Sequence, residues 1–237
     1  MYDIDVAEVW DPVYRGRGRD YRAEAAEVSA LIRQHKPGAA SLLDVACGTG
    51  EHLRSFREHF ARVAGVELSA DMIAVGRARS PELSLTQGDM RTFDLGTRFD
   101  AITCMFSSVG HLDTPAELAT ALERFAAHLE PGGVVVVEPW WFPSTFLEGY
   151  VTGDIVETGG RTISRVSHSS REGDKSRVHI HFTVASPLEG LRHFTESILV
   201  SLFTQREHES AFEQAGFAVE YVEGGPQGRG LFVGVLK

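Results

Sequence analysis

Cysteine, cationic side chains and long apolar runs are all scarce in this chain, and each scarcity excludes something. Among 237 residues there are only two cysteines, Cys47 and Cys104. Two are too few for a disulfide framework, and that usage suits a reducing compartment. No stretch approaches the roughly 18 apolar residues of a membrane span. Met1-Tyr2-Asp3-Ile4-Asp5 has neither the basic start nor the apolar core of a secretory leader. The expectation is therefore a cytoplasmic protein with no membrane partner. Lys and Arg number 23 against 33 Asp and Glu, a net charge of −10. An acidic chain without a dense basic run is a poor nucleic-acid binder, so no nucleic-acid partner is expected. Net charge does not speak against a local basic pocket for a small anion. No internal repeat or low-complexity tract interrupts the sequence.

What is present reads as one globular chain, 43% hydrophobic and 24% charged. Surface scaling for this mass predicts roughly 10,500 Å² of exposed area, with about 70% of the unfolded surface buried. Residues 1–40 read as helical around a break at Arg15-Gly16-Arg17-Gly18-Arg19, with Asp20 capping a helix to about Gln34. Residues 41–139 alternate strand and helix. Leu42–Ala46, Arg62–Glu67, Leu83–Gln87, Phe99–Met105 and Val134–Val137 are expected strands. Ser69 and the Thr114-Pro115-Ala116-Glu117 capping box start helices. Strands apolar on both faces fit a parallel sheet covered by helices. Residues 140–203 change period to two, with Val178, Ile180, Phe182 and Val184 alternating with polar residues. Arg161–Ser170 and Arg192–Leu202 are their expected partners. After a second capping box at Thr204-Gln205-Arg206-Glu207, a helix and two strands finish the chain. The predicted fold is α/β: a doubly wound, Rossmann-like sheet over 41–139 and 204–237, a small antiparallel β insertion over 140–203, and an N-terminal helical lid over 1–40.

The first strand runs into Asp44-Val45-Ala46-Cys47-Gly48-Thr49-Gly50, a glycine turn that lets backbone approach a ligand ahead of a helix. Glu67 ends the second strand, where a carboxylate can take a ribose diol. Two cofactor classes share this geometry. A dinucleotide fingerprint needs a third glycine, and Leu53 stands at that position. In its place there is Asp44 inside the strand and Gly88-Asp89-Met90 after the third strand, where Asp89 can meet an adenine amino group. This order of acids and glycines resembles the class I S-adenosylmethionine-dependent methyltransferases. The resemblance implies Asp44, Ala46, Gly48, Gly50, Glu67, Asp89, Met90 and Met105 as cofactor contacts. An NAD-dependent oxidoreductase is the competing class.

Longer stretches narrow the resemblance. Cys104-Met105-Phe106-Ser107-Ser108, Glu138-Pro139-Trp140-Trp141-Phe142-Pro143, Arg165-Val166-Ser167-His168-Ser169 and Gly224-Gly225-Pro226-Gln227-Gly228-Arg229-Gly230-Leu231-Phe232 look like the N,N-dimethyltransferases of actinobacterial deoxyaminosugar pathways. That family makes dimethylamino sugars such as desosamine and mycaminose, as dTDP-linked precursors of macrolide antibiotics. It commonly has Ser at the position of Gln227 and Tyr at that of Trp10, departures that bear on which aminosugar is taken. The resemblance implies S-adenosylmethionine as cofactor and two successive methylations of a dTDP-3-amino-deoxyhexose, with a 4-amino sugar or another small molecule as the alternative. It also implies an N-terminal lid, with Tyr14 and Arg22 on the cofactor and Tyr2 near the amine.

The residues themselves add a substrate reading. A sugar nucleotide brings two phosphates, and Arg161, Arg165, Arg171, Lys175, Arg177 and Arg192 gather in the insertion of an otherwise acidic chain, with Arg229 in a glycine-rich loop. Arg229 and at least one insertion arginine are expected to meet the diphosphate, and Arg165, Arg177 and Arg229 are the candidate substrate contacts. Trp140, Trp141 and Phe142 follow the fifth strand; one aromatic is expected to line the pocket and another to plug the insertion onto the core. His168, His179 and His181 are candidates for a polar pocket wall, or simply for the solvent face of the sheet, and no metal site is expected because a third ligand at suitable spacing is missing. His111, after the fourth strand, is the candidate acceptor for the amine proton. Gly16 and Gly18 are expected to let the lid move. The β insertion is a candidate for substrate binding or for homodimer formation.

Overall fold

The computed structural model describes residues 3–237. Two helices open the chain, α1 (Ile4–Gly16) and α2 (Tyr21–His35). The alternating region follows as β1 (Ser41–Val45), α3 (Glu51–Phe56), β2 (Arg62–Glu67), α4 (Ala70–Arg79), β3 (Leu85–Gln87), β4 (Phe99–Cys104), α5 (Pro115–Ala127) and β5 (Leu129–Val137). A short 3₁₀ turn, Ser108–His111, lies between β4 and α5. The insertion contains β6 (Tyr150–Thr158), β7 (Arg161–Glu172), β8 (Lys175–Ser186) and β9 (Gly190–Ser201). The chain closes with α6 (Gln205–Gln214), β10 (Phe217–Val222) and β11 (Leu231–Leu236).

The large sheet has the order β10-β11-β5-β4-β1-β2-β3. Strands β1 to β5 run parallel, and β11 alone is antiparallel to its neighbours β5 and β10. Alternation along each strand feeds two cores. Leu43, Val45, Ile102, Val135 and Phe232 meet Leu118, Leu122, Phe125 and Phe212 of α5 and α6 on one face. Leu42, Ala101, Val134, Val136 and Val233 meet Ala25, Val28, Ile32, Leu53 and Phe56 of α2 and α3 on the other. Both faces of the sheet are therefore covered, as the unbroken apolar run at Val134–Val137 requires. The strand order reverses between β1 and β4, and ligands of such sheets collect outside the carboxyl ends there.

Local chemistry sets the helix starts. Asp20 accepts the N–H groups of Arg22 and Ala23, and Ser69 that of Met72. Thr204 and Glu207 form a reciprocal box. At Thr114 only half of the expected box forms: the Thr114 hydroxyl takes Glu117 N–H, but the Glu117 carboxylate takes Asp113 N–H at 2.7 Å.

The insertion is one antiparallel sheet, β6-β7-β8-β9. Its first strand is absent from the sequence reading. Val156 is the single buried residue of β6, so no apolar alternation marks it. The inner face, with Ile163, Ile180, Phe182 and Val184, packs on Val9 and Val13 of α1. Arg192 of β9 also donates to Asp5 and Glu8 of α1, at 2.7 and 3.3 Å. The two N-terminal helices thus belong to different layers. α2 is part of the main core, and only α1 spans toward the insertion. Gly16 lies inside α1 against Val156, where a Cβ would collide with both methyl groups. It permits close packing and is not a hinge; Gly18, at φ 88°, makes the turn.

The exposed surface is 10498 Å², in line with the area expected for this mass. Among the described residues no helix is long and apolar enough to cross a membrane.

Candidate active site

Two cavities adjoin at the carboxyl edge of the large sheet. The first, of about 400 Å³, is bounded by the turn after β1, the end of β2, the loop after β4, and β9 of the insertion. Among the described residues its wall carries five carboxylates, Asp11, Asp44, Glu51, Glu67 and Glu196, and no Lys or Arg. The second, of about 540 Å³, lies between the insertion sheet, the α1–α2 linker and the Trp140-Trp141 segment. Among the described residues it carries four arginines, Arg17, Arg19, Arg165 and Arg229, and no Asp or Glu. Phe106 contributes to both walls.

The acidic cavity is built as the glycine turn implies. Ala46 and Gly48 take left-handed backbone, each at φ 57°, and a Cβ on Gly48 would meet no atom within 4 Å. The Gly48 N–H donates to one oxygen of Glu67 at 2.8 Å, and the Ser69 N–H donates to the other at 2.8 Å. Glu67 is thereby fixed at the rim of the cavity. Asp44 accepts from the Thr103 hydroxyl at 2.7 Å, and burial pushes its pKa up to about 6. Asp11 accepts from Thr49 at 2.7 and 2.8 Å and pairs with Arg79; burial raises its pKa to about 6 as well. Met90 and Met105 add polarizable apolar surface. His111 borders the same cavity, and the crowding of its walls holds the imidazole pKa below its ordinary value.

Behind these walls the loop after β4 is strained. Phe106 and Ser107 are consecutive non-glycine residues with φ of 61° and 62°. Such residues cost on the order of 1–3 kcal/mol each and persist only where the surroundings hold them. Here Glu138 accepts Phe106 N–H at 2.7 Å, and the Ser107 hydroxyl donates to Pro139 O at 2.7 Å.

In the basic cavity, Arg165 is 5% exposed and donates Nη1 to Ser167 at 3.0 Å, while its buried Nε has no partner. Burial pulls its pKa down, and the Tyr14 hydroxyl beside it works the other way. Arg229 donates to Glu138 at 2.6 Å and Pro139 O at 3.2 Å, with its guanidinium 5.4 and 5.7 Å from the Trp140 and Trp141 ring centres. Trp140 is pinned by its indole N–H to Ser176 at 2.9 Å. Phe142 packs into the main core against Tyr221 and Phe232, and it is Trp140, itself part of the cavity wall, that packs on the apolar cluster of the insertion.

The comparison with known proteins bears on a cavity pair of this kind. The family described as "Methyltransferase domain" matches residues 42–133. The chain is 58% identical to the dTDP-3-amino-3,4,6-trideoxy-alpha-D-glucopyranose N,N-dimethyltransferase of Streptomyces venezuelae, over 99% of both chains. The chain belongs to this family of aminosugar N,N-dimethyltransferases. It is 49% identical to the dTDP-4-amino-2,3,4,6-tetradeoxy-D-glucose N,N-dimethyltransferase of Saccharopolyspora spinosa, over 99% of this chain and 94% of that one. The structure of S-adenosylmethionine-bound CalS10, an amino pentose methyltransferase from Micromonospora echinaspora, superposes with a TM-score of 0.88 at 47% identity, covering 100% and 98% of the two chains. This dimethyltransferase is thus an S-adenosylmethionine-dependent enzyme. Its acidic cavity fits that group: the volume suits a small cofactor, the bare turn at Gly48 admits close approach, and the carboxylates suit a ligand with sulfonium and ammonium charges.

Asp44, Ala46, Gly48, Glu67, Met90, Met105 and His111 come together on the acidic cavity, and Trp140, Trp141, Arg165 and Arg229 on the basic one; Tyr14, expected on the cofactor, also lines the basic cavity, its ring edge-on to Phe106 at the wall between the two. Other expected residues stand elsewhere. Arg22 points to solvent and pairs with Glu58 at 2.9 Å, because the buried stripe Tyr21, Glu24, Ala25 and Val28 leaves its position outside. Gly50 caps α3 at φ 85°, where a Cβ would press on Leu83 at 2.8 Å; it shapes the turn without lining the cavity. Asp89 is drawn away by Arg91, whose guanidinium reaches back to it at 2.6 Å. Arg177, His168, His179 and His181 project from the outer face of the insertion sheet. Period two turns Arg165, Ser167, Val178 and Ile180 inward and sends these four outward. There Arg177 pairs with Glu172, and His181 lies 3.2 Å from His193. Tyr2 falls outside the described residues.

Among the lining residues not singled out as site candidates are Asp11, Thr49, Glu51 and Glu196 on the acidic side and Arg17 and Arg19 on the basic side. The Arg15-Gly16-Arg17-Gly18-Arg19 run was a legible signal: alternating arginines in a glycine linker bring cations where backbone can pass close to an anion. Asp11, inside an amphipathic helix, carried no comparable mark.

Proposed function

We infer that this enzyme transfers two methyl groups in succession to the amino group of a dTDP-3-amino-deoxyhexose. The observation that carries the reading is the charge division between the linings of the adjoining cavities: five carboxylates line one and four arginines the other, with their counter-charges (Arg79 and Arg54 for Asp11 and Glu51, Glu24 and Glu138 for Arg19 and Arg229) set outside those linings. A cationic methyl donor and an anionic sugar diphosphate are the ligand pair that such a division suits. Arg165, with an unpartnered buried N–H, and Arg229, held edge-on by Glu138, are the diphosphate contacts. Trp140 and Trp141 offer flat faces to thymine or sugar. Asp44, Glu67, Met90 and Met105 are the cofactor contacts. The 58% identity to a 3-amino enzyme, against 49% to a 4-amino enzyme, favours the 3-amino sugar.

When bound, S-adenosylmethionine supplies a methyl group made electrophilic by its sulfonium. The protein's part is to hold a neutral amine in line and keep water away, and alignment of this kind is worth roughly 7–11 kcal/mol of a barrier. His111 stands on the acidic cavity, whose wall also includes Phe106. The side chain is exposed to the cavity, and the groups packed around it hold its pKa below the ordinary value, so the neutral ring predominates at pH 7 and can accept an amine N–H through a ring nitrogen. α1, which carries Asp11 to the acidic cavity and Tyr14 to the basic one, is the covering segment. The reading includes a cytoplasmic setting. It also includes a homodimer formed through the outer face of the insertion sheet, where Val151, Ile155, Val166 and Leu191 are more than half exposed.

The test is incubation with S-adenosylmethionine and dTDP-3-amino-3,4,6-trideoxyglucose, with the 4-amino isomer in parallel, followed by mass spectrometry. Two successive N-methylations of the 3-amino sugar are expected. Faster turnover of the 4-amino isomer, or methyl addition to oxygen, overturns the assignment.

A further inference from the structure

A line of buried charge runs between the two cavities, and neither ligand alone accounts for it. Glu138 is 1% exposed and has one carboxylate for three donors. Its Oε1 accepts Arg229 Nη2 at 2.6 Å; its Oε2 accepts Phe106 N–H at 2.7 Å and lies 3.7 Å from Arg19 Nη2. The Arg19 guanidinium stacks 3.9 Å over the Phe106 ring and bonds Glu24 at 2.7 Å. Glu24 then takes His52 at 2.7 Å and Gln227 at 3.0 Å. His52 borders the acidic cavity and Gln227 the basic one.

We propose that Glu138 is a positioning residue shared by the two cavities, through which cofactor and sugar nucleotide each strengthen the other's binding. The inference rests on the assignment of the basic cavity to a diphosphate. Three features carry it. Glu138 holds the left-handed Phe106–Ser107 turn, and Phe106 is wall to both ligands, so one acceptor sets the shape of both sites. It orients Arg229 by one edge of the guanidinium and leaves the rest of the fork to an anion. It is buried, so its partners cannot be replaced cheaply by water. A ligand that orders one end of this network presents the other end already arranged. Coupling of this kind is reciprocal between the two ligands. The turn that responds is the strained pair at φ 61° and 62°, which Glu138 holds through the Phe106 N–H.

The experiment is titration calorimetry with dTDP, which has the diphosphate and no amine, and with S-adenosylhomocysteine, each alone and in the presence of the other. In the wild-type protein, saturating S-adenosylhomocysteine should tighten dTDP binding about 5–10-fold, and dTDP should tighten S-adenosylhomocysteine by the same factor. Glu138→Gln keeps an acceptor for Phe106 N–H and loses the charge that holds the arginines. It should reduce the mutual effect to less than about twofold. A merely structural defect weakens each ligand alone and leaves the ratio between the two conditions intact. Equal dTDP affinity with and without S-adenosylhomocysteine in the wild type overturns the proposal, as does wild-type coupling in Glu138→Gln. Should Glu138→Gln not fold, Arg229→Met decides: it cuts the network at the anionic end, and coupling that persists there overturns the proposal. Absence of any dTDP binding to the wild type rejects the diphosphate assignment itself.

Discussion

The guanidinium of Arg229 is oriented before any ligand arrives, by Glu138, Pro139 O and two indole faces. Preorganisation of this kind lowers the ordering cost of binding an anion. Arg229→Ala should raise the KM for the sugar nucleotide about 10–100-fold, since a charged hydrogen bond is worth roughly 1.5–3 kcal/mol, and change kcat by much less. Steady-state kinetics at saturating S-adenosylmethionine measures it, and an unchanged KM rejects the assignment. His111 makes the opposite demand, acting on the amine and not on the anion. His111→Ala should slow turnover without abolishing it, by less than the ~100-fold of a full general base. Its lowered pKa fixes the sign of the pH effect: the neutral, accepting ring is lost on the acid side of pH 6.5, so wild-type kcat/KM should fall there. That acid limb should shrink in His111→Ala. Total loss of activity with intact substrate binding would mean that proton acceptance, and not alignment, dominates.

At the level of elements, α6 rests on β11 through a histidine that catalysis does not use. His208 is 2% exposed and stacks on Phe232 at 4.6 Å. Its Nδ1–H donates to Thr204 O at 3.0 Å, and its Nε2 is buried without a partner. Burial pulls its pKa down to about 4. The unfolded ring protonates near 6.5, so the unfolded state gains a proton first as pH falls. His208 thus stabilises the fold fully above pH 6.5, and that stability is lost between about 6.5 and 4. Thermal unfolding of wild type and His208→Phe across this window should show a fall in Tm that is blunted in the variant; parallel curves would reject the account. Elements such as α6 were legible because cap and period agree, as they do at Thr204–Glu207 and along β8. β6 was not, since a strand with one buried residue has no period to detect. The candidate site was legible where a glycine turn and a strand-end acid coincide, at Gly48 and Glu67. It failed at His168, His179, His181 and Arg177 because sequence proximity to the insertion does not say which face of a strand points inward. Arg165, one strand over, has the parity that does.

Over the whole molecule the ten excess negative charges are unevenly spent, and the uneven part is testable. Asp11 arrives on α1 and Asp44 on β1, so the acidic cavity gathers carboxylates from distant parts of the chain. Burial raises both to about 6; Thr49 and Arg79 lower Asp11, and His52 and Thr103 lower Asp44, without offsetting it. The sign for the ligand-free protein follows. Carboxyls with a folded pKa above the unfolded 3.8 favour the fold while protonated, and that contribution is lost as pH rises through about 6. A cationic ligand reverses the preference by stabilising the ionised pair, so binding should release protons at and below pH 6. Affinity for S-adenosylmethionine should weaken from pH 7 to pH 5, by up to about tenfold per pH unit for each group that must ionise. S-adenosylhomocysteine, which lacks the sulfonium charge, should show a shallower slope. Calorimetry in buffers of different ionisation enthalpy reads the proton count directly. Equal slopes for the two ligands would mean that these carboxylates respond to the amino group common to both and not to the sulfonium. Flat profiles for both would mean that neither carboxyl is protonated in the free enzyme at pH 5.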